Sequence, residues 1–133
     1  MGCRRLRLLL DTHALLWWWL DDPKLPQQVR DMIADEANAV VVSAASAWEL
    51  ATKHRIGKLG SVGNALPRFH ELIQADGFEH LPMHWQHCLR AGSYDSPHRD
   101  PFDRMLAAQA ELEGLTLLSG DPALAELGAN VSW

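Results

Sequence analysis

At 133 residues, with 47% hydrophobic and 22% charged side chains, the chain has the make-up of one globular domain with a real core, not of a disordered segment. No apolar run approaches the ~20 residues of a membrane-spanning helix, and Asp11, Thr12 and His13 break the greasiest stretch, Leu8–Leu20. A formal net charge of −5 excludes a protein that holds nucleic acid by bulk charge alone.

Residues 1–5 read as a loose lead-in. Met1-Gly2-Cys3 is not a myristoylation start, since Leu6 stands where Ser or Thr is wanted, and no small-residue cleavage site marks a signal peptide. Cys3 and Cys88 are too few for a disulfide framework, so a reducing cytoplasm is expected. Leu6–Leu10 is short, nearly all apolar and closed by Asp11-Thr12, which suits a strand buried on both faces. His13–Leu20 predicts a short helix ended by Asp21-Asp22-Pro23, and Pro26–Ala37 a second with Val29, Met32 and Ile33 at helical spacing. Ala39–Ser43 is a β-branched strand. Ser43 or Ser46 then caps a helix to about Ile56, with Gly57 as its stop.

Gly57–Gly63 reads as a loop, Leu66–Ala75 as a helix, Phe78–Leu81 as a strand and His84–Gly92 as a helix. Ser93–Pro101 is a polar loop. Asp103–Glu113 is a helix closed by Gly114, Leu115–Leu118 a strand, Asp121–Leu127 a last helix and Ala129–Trp133 a terminal strand. Strands alternating with helices predict βαβ units and a parallel sheet, in an α/β domain without repeats or linkers.

Four acids stand at or just beyond the ends of apolar strands, or in the helix that follows. Each has a structural reading. Asp11 suits an N-cap. Glu49 fits a capping box with Ser46, or an i,i+4 pair with Lys53; a start at Ser43 instead puts Glu49 about two turns in, facing the sheet edge. In Asp100-Pro101-Phe102-Asp103, Asp100 suits the cap, Pro101 the first turn, and Asp103 the site. Asp121 before Pro122 again reads as cap plus first turn. Jointly, Asp11, Glu49, Asp103 and Asp121 can converge at the carboxyl ends of the strands, where open α/β sheets bind ligands. An all-oxygen set without Cys or His favours Mg²⁺ or Mn²⁺ over zinc, and bound cations would locally reverse the acidic charge.

The segments LLLDTHALLWWW, VVSAASAWELATKHRIGKL, HRDPFDRMLAAQA and LLSGDPAL, with the closing VSW, closely resemble the PIN-domain ribonucleases of the VapC toxin type, in order from Leu6 to Trp133. The resemblance implies a three-layer α/β/α sandwich around a parallel sheet and a Mg²⁺- or Mn²⁺-dependent endoribonuclease. It also implies a homodimer and a cognate VapB-like antitoxin that blocks the site. On matching positions the acidic quartet is Asp11, Glu49, Asp103 and Asp121. Thr12 and Ser119 match the small hydroxyls beside the first and last acids.

Around that quartet, Lys53, Arg55, Lys58, Arg99 and Arg104 are candidate phosphate contacts, Arg104 foremost because it adjoins Asp103. His80, His84 and His87 have spacings compatible with a metal but lack a zinc pattern. Trp17, Trp18 and Trp19 could stack RNA bases, although packing or an interface is the plainer use, and three in a row cannot all face one core. An aspartyl phosphotransferase is disfavoured, because the Asp-x-Asp spacing is absent at Asp11-Thr12-His13. The remaining rival is a catalytically silent RNA- or protein-binding module whose acids serve only as caps.

Overall fold

The computed structural model describes residues 5–133; Met1-Gly2-Cys3 and most of the expected lead-in lie outside the described residues. Five strands, β1 (Arg7–Leu10), β2 (Ala39–Ser43), β3 (Glu79–Leu81), β4 (Thr116–Leu118) and β5 (Val131–Ser132), form one sheet in the order β3-β2-β1-β4-β5. Every neighbouring pair is parallel. The fold is the expected α/β sandwich.

Parallel pairing demands crossovers, and the intervening helices cover both faces. In β1, Leu8 and Leu10 pack on one side with Leu15, Val29 and Ile73, from helices α1 (Thr12–Leu20), α2 (Gln27–Ala34) and α4 (Phe69–Ala75). Leu9 packs on the other side with Ala91 and Leu106, from α5 (Trp85–Ser93) and α6 (Pro101–Glu113). Leu8, Leu9 and Leu10 are all fully buried, which is why β1 carries no alternation. Between the two layers runs α3 (Ala44–Arg55), against both α1 and α6. No helix among the described residues is long and apolar enough to cross a membrane.

Three caps fix where the helices leave the sheet. Asp11 accepts from the Ala14 amide, Ser43 from the Ala45 amide, and Asp100 from the Phe102 and Asp103 amides. Ser43, not Ser46, therefore starts α3. Three expected helices are shorter in the structure. The second ends at Ala34 rather than Ala37, because the Asp35 side chain accepts from the Ala37 amide at 2.9 Å and turns the chain toward β2. The segment expected to be α-helical from Leu66 begins as a 3-10 stretch, Gly60–Arg68, containing Pro67, and becomes α-helical only at Phe69. The last helix, α7, is a single turn over Ala123–Glu126.

Candidate active site at the carboxyl edge of the sheet

Leu10 on β1 pairs in register with Leu118 on β4, and the Asp11 amide extends the ladder by donating to the Leu118 carbonyl at 3.1 Å. Asp11 and Ser119 thus leave adjacent strands side by side, where the strand order reverses, the place where such sheets bind ligands. Asp11 is only 6% exposed. Burial pushes its carboxyl above the usual carboxylate range, opposed by hydrogen bonds from the Ser119 hydroxyl and the Ala14 amide. The Ser119 oxygen in turn accepts from the Asp121 amide at 3.1 Å, so one hydroxyl links the first acid to the last. Asp121 itself is exposed; it accepts from the Ala123 amide at 2.9 Å and lines the same groove as Asp11.

Glu49 lies midway along α3 and is 5% exposed. One turn earlier, the Ser46 hydroxyl meets that of Thr12 at 3.0 Å in a buried contact that locks α3 onto α1. Glu49 pairs with Lys53 at 2.9 Å, the i,i+4 partner foreseen in the sequence. Its charge also raises the carboxyls of both Asp11 and Asp103, so acids at the end of β1, on α3 and on α6 share one electrostatic neighbourhood.

Asp103 is half-buried in the first turn of α6, and that burial raises its carboxyl above the usual range. His98 opposes the rise by meeting Asp103 Oδ2 at 3.0 Å through Nε2. Asp100, the cap, adds charge that raises Asp103 further. Arg104 does not face solvent as a phosphate contact. Its guanidinium donates to the carbonyls of Ala91 (2.8 Å), Tyr94 (2.5 Å), Ser96 (3.3 Å) and His98 (2.7 Å). It clamps the polar loop that carries His98.

Across residues 8–130 the chain matches the PIN domain family. It is a PIN-domain protein. Solved structures agree in fold. The chain superposes on VapBC2 from Rickettsia felis, bound to a DNA fragment from its promoter, with a TM-score of 0.71, 13% identity and coverage of 96% of this chain and 98% of that one. VapBC-1 from nontypeable Haemophilus influenzae gives 0.67 at 18% identity, covering 96% and 97%. FitAcB from Neisseria gonorrhoeae gives 0.63 at 21%, covering 93% and 95%. No curated protein matches.

The divalent ion implied by the PIN resemblance fits the donor chemistry of this edge. Asp11 and Glu49 are buried carboxylates, and burying such charge demands a cation or several donors. Their oxygens, with those of Asp103 and Asp121, suit a hard ion. Among the described residues no three His, Cys, Asp or Glu groups stand as a ready cage. Glu49 is engaged by Lys53, and Asp103 by His98. Glu49 thus shares an electrostatic neighbourhood with Asp11 and Asp103, and Asp121 a groove with Asp11, without the four closing around a point.

Two further features of the sequence resolve in the structure. His80 pairs with His70 at 2.9 Å, whereas the His84 amide donates to His87 Nδ1 at 3.0 Å, so the three histidines do not converge. The tryptophan run divides: Trp18 packs on Phe78 and Trp19 on Phe69, while Trp17 turns to Trp133. The sequence reading missed His98, whose link to Asp103 depends on the fold of a loop, and Gln109, buried on α6, which binds the Ser43 hydroxyl and the Pro82 carbonyl.

Proposed function

We propose that this PIN-domain protein is a metal-dependent endoribonuclease, the toxin of a type II toxin–antitoxin pair, hydrolysing RNA phosphodiester bonds in the cytoplasm. The observation that supports this reading is that the charge of Glu49, on α3, acts on both Asp11, just past β1, and Asp103, on α6, while Asp121 lines the same groove as Asp11. The VapBC and FitAB structures among the neighbours support a VapB-like antitoxin as partner. A homodimer is the assembly expected from the resemblance.

Asp11, Asp103 and Asp121 would hold Mg²⁺ or Mn²⁺, with Glu49 binding directly or through water. Such an ion supplies an activated water and stabilises charge developing on the leaving oxygen. The chain's own residues set the stage. Ser119 orients Asp11 against Asp121, the Thr12–Ser46 contact fixes the spacing of α1 and α3, and Arg104 holds the loop that brings His98 to Asp103. Lys53 and His98 give Glu49 and Asp103 partners.

Purified, antitoxin-free protein incubated with total RNA and Mn²⁺ or Mg²⁺ is expected to release discrete fragments, and EDTA to stop the reaction. Intact RNA across all conditions would contradict the nuclease. One observation favours a second reading, a catalytically silent binding module: each acid already has a structural partner, and no ready cage is present among the described residues. Calorimetric titration with Mn²⁺ separates the two. The nuclease binds the ion and loses it on Asp11→Asn; the silent module shows no heat in either protein.

A further inference from the structure

We propose that the groove beside Asp11 and Asp121 is a nucleotide subsite for single-stranded RNA, with Trp17 and Trp133 receiving a base and Lys24 a phosphate. The inference rests on the nuclease reading above and names where its substrate is held.

The groove encloses about 330 Å³ and is lined by the two acids together with His13, Trp17, Lys24, Gly120 and Trp133. That volume lies at the lower end of the ~300–1,000 Å³ of small-ligand clefts. Its walls are aromatic. The Trp17 and Trp133 ring centroids are 6.0 Å apart with planes at 58°, so the two indoles form a V and do not stack on one another. His13 stands 5.7 Å from Trp17. Both tryptophans lean on the core cluster that holds Leu8 and Leu10 and keep part of their surface exposed.

Gly120 explains how Trp133 reaches this place. A Cβ at that position would lie 2.9 Å from Trp133 Nε1, so only glycine lets the indole lie against the backbone that joins Ser119 to Asp121. The indole therefore touches the segment carrying the last acid. Lys24, exposed, holds its Nζ 6.0 Å from the Trp17 ring centroid. A π-surface, a mobile cation and two carboxylates in one groove match the three parts of a nucleotide chain at a metal-dependent cleavage point. The base stacks, one phosphate meets Lys24, and the neighbouring phosphate faces the acids and their ion. Stacking of this kind is tolerant of sequence and needs no base-specific donor.

The test uses the full chain and fluorescein-labelled 2′-O-methyl RNA hexamers of mixed sequence, read by anisotropy with Mg²⁺ present, beside cleavage of unmodified RNA. Trp133→Ala should weaken hexamer binding about 5- to 100-fold, and Trp133→Phe should restore most of it. Lys24→Ala, at an exposed side chain that folding does not need, should flatten the salt dependence by about 0.7 in log–log slope. In cleavage, both should raise KM more than they lower kcat. A wild type that cleaves RNA while Lys24→Ala and a folded Trp133→Ala bind and cleave as it does would overturn the subsite and leave the nuclease standing; the groove would then belong to a protein partner or to none. Hexamer binding that depends on Trp133 and Lys24 in a protein that cuts no RNA would uphold the subsite and overturn the nuclease.

Discussion

Asp11 does two jobs with one carboxylate. Oδ1 caps α1 by accepting from the Ala14 amide at 2.7 Å, and the same buried group heads the acidic edge. The two jobs oppose each other in stability. Burial raises the carboxyl of the folded protein above its unfolded value. The contribution of Asp11 to stability therefore falls as pH rises from the ordinary carboxylate range through the raised folded value, and at neutral pH its charge works against the fold. Asparagine caps as well as aspartate and carries no charge. In EDTA at neutral pH, Asp11→Asn should thus melt at or above the wild-type temperature; a drop of several degrees would show that the carboxylate is present for the fold alone. Arg104 is the opposite case, a charged residue whose work is structural. Arg104→Ala leaves four carbonyls without their donor and should cost about 2–4 kcal/mol in thermal or denaturant melts. Lysine, a single point donor, should rescue little of it. Hydrogen exchange should quicken across the loop from Ser93 to Asp100.

At the scale of elements, α5 and α6 are joined by a polar clasp. Glu111 on α6 receives two bonds from Arg90, at 3.0 and 3.1 Å, and one from the Tyr94 hydroxyl at 2.6 Å. Arg90 and Tyr94 hold the Glu111 carboxyl below its ordinary value. The sign follows: this stabilisation is present above the unfolded carboxylate range and is lost as pH falls through the lowered folded value. The melting advantage of wild type over Glu111→Gln should therefore shrink as pH falls below the ordinary glutamate value of about 4.3; an advantage that does not change with pH would mean that the charge of Glu111 contributes nothing. Elements built from local chemistry were legible in the sequence. The unbroken apolar run of β1, the β-branched β2 and the Asp100-Pro101 start of α6 each carry their own signal. Elements settled by competition were not. The Asp35 side-chain turn cut α2 short, and the chain before α4 runs through Pro67 as a 3-10 stretch, neither of which hydrophobic periodicity signals.

The parallel sheet delivers the ends of β1 and β4 in the same direction, which sets Asp11 and Asp121 on one groove. That pairing was legible in the sequence, because each of the two acids follows an apolar strand. Which partners the acids meet was not, since His98 reaches Asp103 only through a loop tied down by Arg104, and Ser119 reaches Asp11 only because β4 lies beside β1. The claim that unites these features is that the edge exists to hold a divalent ion over RNA. The direct measurement is the rate of RNA cleavage by wild type and Asp11→Asn, each with Mn²⁺, Mg²⁺ or EDTA. The account predicts discrete products that require the metal, with a loss on Asp11→Asn of more than ~100-fold, beyond the 10–100-fold typical of residues that merely orient a ligand. Cleavage that survives in Asp11→Asn or in EDTA would contradict it.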